Sequence, residues 1–139
     1  MKRAIIAVLM IAFITAFSAV SNNIIKKRVT SLLENTVAVS ENVETFSNQE
    51  IKEELSDLIT EWKRTEKLLL LFDSHDKFEK ISELFGLLET DKNTNGNEAE
   101  KLLKETENAI HIYLKSRDIT VQNILRLQND YNNVQNVNL

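Results

Sequence analysis

The stretch of this chain with the most chemical suggestion is "DKNTNGNEAEKL", residues 91–102. It matches the opening of a twelve-residue calcium loop. Asp91, Asn93 and Asn95 fall at the first, third and fifth positions, Gly96 at the sixth and Asn97 at the seventh. Calcium takes oxygen ligands, and such a loop supplies them at alternate positions before closing with a bidentate glutamate at the twelfth. Here the twelfth residue is Leu102 and the eighth, normally apolar, is Glu98. With one carboxylate among the first three ligands, any affinity is weak. The plain alternative is a solvated turn between helices, with the glycine in the left-handed conformation.

Two histidines offer a second constellation. His75 has Glu79 four residues on, and His111 has Glu107 four residues back. On helices each pair shares a face, so a cluster of His75, Glu79, Glu107 and His111 is a conceivable metal site. Di-iron carboxylate bundles space their Glu and His three apart instead, which favours boundary or surface histidines. Asp73 and Asp76 flank His75, an arrangement suited to proton transfer, but short acidic clusters between helices ordinarily serve as caps. Trp62 reads as a core anchor at the seam between the first two helices. The chain has no cysteine, phosphate loop, nucleophile elbow or zinc spacing. The expectation is a protein that is not an enzyme and that carries no cofactor.

The elements that would hold these residues are helices. The 139 residues include no proline and only Gly86 and Gly96 as glycines, too few for a sheet with tight turns. The chain opens "MKRAIIAVLMIAFITAFSAVSNNIIKKR". Residues 4–20 are apolar apart from Thr15 and Ser18. As a helix they span about 26 Å, and Ile24 with Ile25 lengthens this to a workable membrane crossing. Small residues around Ala16–Ser18 and Ala19–Ser21 also fit a signal-peptide cleavage patch.

The residues that follow favour retention. Ile25, Val29, Leu32, Thr36, Val39, Val43 and Phe46 recur in alternating steps of four and three, the spacing of a heptad seam. A helix that leaves the bilayer and continues as a rod needs no boundary near residue 21. Lys26, Lys27 and Arg28 would then lie at headgroup level.

Beyond the seam, "SNQE" at 47–50 is a capping box that starts a second helix. That helix carries Ile51, Leu55, Leu58, Ile59, Trp62, Leu69 and Phe72 inward. Its run Leu68–Phe72 is apolar on all sides, which predicts a helix covered on several faces in the middle of a bundle. A third helix over 76–90 turns Phe78, Ile81, Leu84, Phe85 and Leu88 inward. A fourth, over 98–116, offers Ala99, Leu102, Leu103, Ile110, Tyr113 and Leu114. A fifth, over 118–135, offers Ile119, Val121, Ile124, Leu125, Tyr131 and Val134. The fold class predicted is all-α: an N-terminal transmembrane helix continuing into an antiparallel bundle of four to five helices. Residues 1–28 form the anchor or signal segment with its basic flank, 29–125 the bundle and 126–139 an Asn-rich tail.

One segment resembles a known family. "EWKRTEKLLLLFDSHDKFEKISELFGLLE" is similar to the core of the bacterial family catalogued as domain of unknown function 4363. The apolar start, the exit "SNNIIKKR", then Trp62, Leu68–Phe72, Asp73, His75 and the late Asn123-Ile124-Leu125 follow that family's order over residues 1–125. The "NTNGN" loop and the tail past residue 126 depart from it. The resemblance implies a membrane-linked helical protein of Gram-positive bacteria and supplies no catalytic residues.

Charge bounds the partners. Net charge is −4, but from Val29 onward 12 basic residues face 21 acidic ones. An acidic body is repelled by nucleic acid. The expected partners are the membrane, through residues 4–25, and another membrane protein. Ala12 and Ala16 are spaced to allow two anchors to pack as a homo-oligomer. The expected location is the cell membrane with an extracytoplasmic body. The alternatives are secretion after cleavage near Ser18–Ser21 and a helical domain that binds a small ligand or calcium.

Overall fold

A computed structural model of the chain describes the backbone of residues 2–90 and 96–137, and the side chains of 5–90 and 96–118. It contains four long helices and a short 3-10 turn. They are α1 (Lys2–Asn42), α2 (Asn48–Phe72), the 3-10 turn His75–Lys77, α3 (Glu79–Thr90) and α4 (Gly96–Val137). There is no strand among the described residues.

The helices form an up-and-down bundle. α1 packs on α2 and α4, and α3 packs on the same two from the opposite corner. Cross-links at several heights fix the antiparallel register. Lys26 pairs with Asp118 at 2.9 Å, and Asn35 Nδ2 donates to Glu61 at 2.8 Å. Lys63 pairs with Glu89 at 2.6 Å, and the Ser82 hydroxyl donates to Glu66 at 2.6 Å. We call the end at Asn22, Asp73 and Arg117 proximal, and the end at Val43, Ile51 and Gly96 distal.

The heptad seam forms the α1 side of the core. Ile25, Val29, Leu32, Thr36, Val39 and Val43 are buried and Phe46 is half-buried against them. Thr36 fits because its hydroxyl donates to the Leu32 carbonyl one turn back, at 2.8 Å, which satisfies a polar group in an apolar layer. Thr65 and Thr106 repeat this on α2 and α4, bonding the carbonyls of Glu61 and Leu102. Phe78, just before α3, and Ile81, Leu84, Phe85 and Leu88 on it are buried as the spacing predicts. The capping box forms as well. The Ser47 backbone N–H donates to Glu50 at 2.7 Å, and the Glu50 N–H donates to Ser47 Oγ at 3.3 Å. The bond from the Ser47 backbone N–H, and next the Ser47 hydroxyl, hold the Glu50 carboxyl below its ordinary pKa.

Four expectations need correction. The fourth and fifth helices are one: α4 is unbroken from Gly96 to Val137. The break expected between residues 116 and 118 does not occur: the Arg117 side chain is taken up by partners on α1 and α2, and the helix carries it through. Gly96 is not left-handed. No described glycine has positive φ, and Gly96 opens α4 with Val43 and Ile51 as its nearest neighbours. Trp62 is buried, but its aromatic partners lie toward α3. It stacks on Phe85 at 5.1 Å and meets Phe78 edge-on at 6.2 Å. Finally, α2 is not covered all round. Leu69 is buried, yet Leu70, Leu71 and Phe72 are exposed, because α2 there runs past the proximal end of the core.

α1 has two characters. None of Ile5–Val20 is buried, so no described side chain encloses that half, and it is long and apolar enough to cross a membrane. From Ile25 onward α1 belongs to the core. Ile25 therefore does not lengthen the bare apolar surface as the sequence suggested; Ile24, which is exposed, does.

Candidate functional site

The most developed polar constellation lies where the two halves of α1 meet. Asp73 is the C-cap residue of α2, and its backbone N–H bonds the Leu69 carbonyl at 2.7 Å. Its carboxylate turns into the bundle, where Oδ2 accepts from the Tyr113 hydroxyl and from Arg117 Nη1, both on α4. Oδ1 has Lys77 Nζ at 3.4 Å. Arg117 also reaches α1: Nη2 donates to Asn22 Oδ1 at 2.7 Å and Nε to the same oxygen at 3.2 Å. Its Nη1 lies 3.0 Å from the Tyr113 oxygen, and its guanidinium carbon sits 5.8 Å from the Tyr113 ring centre.

This cluster is enclosed. The Asp73 and Arg117 side chains are only 8% and 16% exposed. Removing two charges from water is costly unless each is paired and its remaining hydrogen-bonding capacity is met. Both conditions hold here, since no buried side-chain nitrogen or oxygen lacks a partner among the described residues. Burial, and next the bond to Asp73, push the Tyr113 hydroxyl well above its ordinary pKa. A neutral phenol that donates to a paired carboxylate is a fastener. The cluster ties α1, α2 and α4 at one level and has its acceptors already satisfied, so the chemistry it performs is positional.

The residues singled out from sequence fall elsewhere. His75 lies in the 3-10 turn, exposed, with its ring edge-on to Phe78 at 5.2 Å. Glu79 opens α3, and Glu107 and His111 lie on α4, with His111 exposed. Among the described residues no three His, Asp or Glu groups come together to hold a metal, so His75, Glu79, Glu107 and His111 do not form a cluster. Asp91, Asn93 and Asn95 lie outside the described residues. Asn97 is in the first turn of α4, and residues 96–102 are helical, so the second half of the calcium-like motif is the start of a helix. Asp76 accepts from the Ser74 hydroxyl, which holds its carboxyl below the ordinary range.

Asp73 was read from sequence as a cap and Tyr113 as plain core; Asn22 and Arg117 were not singled out. One signal was present: Tyr113 and Arg117 are four apart and so share a helical face, which sets a cation on a buried stripe.

No family model, curated protein or solved structure matches this chain.

Proposed function

We propose that the chain is a single-pass membrane protein that works by protein–protein contact, as a scaffold or accessory to a larger membrane protein. One observation carries the reading. α1 is a single helix whose first half is bare and apolar and whose second half is the wall of a packed bundle. Apolar surface of that extent in water is an aggregation liability, whereas in a bilayer it is solvated. The rod and the anchor being one helix, the bundle is held at a fixed height and direction above the lipid. A body so placed, acidic and lined with charged helix faces, suits contact with a neighbour.

Retention rather than cleavage is supported by the ring contact between Phe17 and Phe72, 6.1 Å apart. Cutting near Ser18–Ser21 would remove Phe17 and with it this contact. The basic residues Lys26, Lys27 and Arg28 then sit at headgroup level, and the short, signal-like start Met1-Lys2-Arg3 favours a body on the extracytoplasmic side. α4 continues as helix beyond Asp118, which is level with Lys26. Residues 119–139 include six asparagines, and such side chains are not solvated by hydrocarbon.

Crosslinking in intact cells, followed by recovery of the chain and sequencing of its N-terminus, tests the reading. The expected result is an intact N-terminus, a membrane-fraction location and a reproducible membrane-protein partner. Recovery as a free, trimmed chain would overturn it.

A further inference from the structure

The exposed end of α2 is unlike the rest of the bundle surface. Leu70 is 54% exposed, Leu71 75% and Phe72 39%. Away from these three and α1's apolar half, the other large exposed apolar residues among those described are Leu87 on α3 and Ile112 on α4. Three adjacent apolar side chains at the tip of a helical hairpin call for something to cover them, and their position identifies it.

The Phe72 ring lies 6.1 Å from that of Phe17, which itself stacks on Phe13 at 6.3 Å. The tip surface is thus continuous with the bare surface of α1. Phe17 precedes Asn22, where the polar cluster grips α1, by five residues, about 7.5 Å of helix rise. Amphipathic segments resting in a membrane interface bury their apolar side chains to about 5–10 Å. On the other side of the tip the chemistry changes sharply. Asp73 is turned inward and paired, and Ser74, His75, Asp76 and Lys77 are exposed and polar. Lys67, one turn back along α2, is exposed, as are Lys26 and Lys27 on α1. An apolar tip under a collar rich in lysine matches the boundary between acyl chains and headgroups.

We infer that Leu70, Leu71 and Phe72 form a second membrane contact, in which the α2–α3 hairpin tip dips into the acyl–headgroup boundary beside Phe17. This rests on α1 crossing the bilayer. A second copy of the chain is the other conceivable cover. It would have to sit against the tip at the depth of Phe17, within the lipid itself, so the bilayer is the occupant the geometry favours. Two attachment points prevent the bundle from swivelling about α1 and fix which face is presented sideways.

The chain contains no cysteine, so single cysteines report cleanly. Full-length Leu71→Cys, Ile11→Cys and Lys101→Cys variants are labelled with an environment-sensitive fluorophore. They are then reconstituted in phosphatidylcholine–phosphatidylglycerol vesicles carrying lipid nitroxides placed either near the headgroup or deep in the acyl chain. Leu71 is so exposed that its replacement leaves the core untouched. The expected result is quenching at position 11 by the deep nitroxide. At position 71 the shallow nitroxide should quench roughly twofold or more beyond its effect at position 101, which lies distally on α4. Quenching at 11 but not at 71 overturns the tip contact while leaving the anchor standing. Absence of quenching at both overturns the anchor as well. Oxidative dimerisation through position 71, without lipid quenching, assigns the tip to a second copy and also overturns the proposal.

Discussion

Asp73 and Arg117, separated by 44 positions, form an enclosed ion pair at the level where α1 stops being bare and becomes part of the core. The pair closes the proximal end of the bundle much as the Ser47 capping box and Gly96 organise the distal end. Because the Arg117 guanidinium also donates to Asn22, the pair ties α1 to α2 and α4 at that level.

Removing one member of this pair leaves the other buried and uncompensated. Asp73→Asn is expected to destabilise the folded chain by about 3–5 kcal/mol, measured by denaturant unfolding in detergent micelles. Replacing both, as Asp73→Leu with Arg117→Met, is expected to cost less than either single change. A double variant at least as unstable as the sum of the singles would show that the two residues act independently.

Tyr113 gives a pH signature. Its proton is held more tightly in the folded chain than in the unfolded one, because of burial and then the bond to Asp73. The stability this contributes is fully present below the unfolded value of about 10 and is lost as pH rises through the higher folded value. In a Tyr131→Phe background, phenolate absorbance should therefore lag behind a free tyrosine and appear together with loss of helical circular dichroism. Ionisation near the ordinary value with the helices intact would refute the arrangement.

At the distal end, Ser47→Ala should destabilise by about 1 kcal/mol, the usual effect of losing an N-cap side chain. Glu50 adds a mild acid dependence of opposite sense to that of Tyr113. Its carboxyl is held low by the Ser47 N–H and hydroxyl. The associated stability is present above the ordinary glutamate value and fades as pH falls through the folded one. Thermal melts of Glu50→Gln, compared with the parent over that range, should lack this step.

The buried threonine of the seam is expected to be dispensable. Thr36 bonds only within its own helix, so Thr36→Val removes donor and partner demand together and keeps the shape. Stability should change by less than about 1 kcal/mol, in either direction. A loss of several kcal/mol would mean that the hydroxyl has a partner outside α1. By contrast, Trp62→Ala opens a cavity against Phe78 and Phe85 and should cost about 3–5 kcal/mol.

Much of the fold was legible in the residue pattern. Steps of four and three from Ile25 to Phe46, the inward positions of α3 and the capping box each depend on contacts within a few turns, and helical periodicity records these directly. The join between the fourth and fifth helices was missed because the partners of Arg117, on α1 and α2, lie far away in the chain and leave no local trace. Leu68–Phe72 was misread because apolarity states that a surface avoids water. It does not state whether a protein core or another apolar phase covers it.

The sequence alone determined that the chain is helical, that a long apolar stretch runs into a heptad rod, and that the body beyond it is acidic. These are properties of composition and short-range spacing. Only the tertiary structure decided that Asn22, Asp73, Tyr113 and Arg117 meet, that Trp62 leans on α3, and that Phe72 comes to rest beside Phe17. Those juxtapositions join positions tens of residues apart. They are set by how four rods align in antiparallel register, a choice made by the packing of whole faces and written in no single local motif.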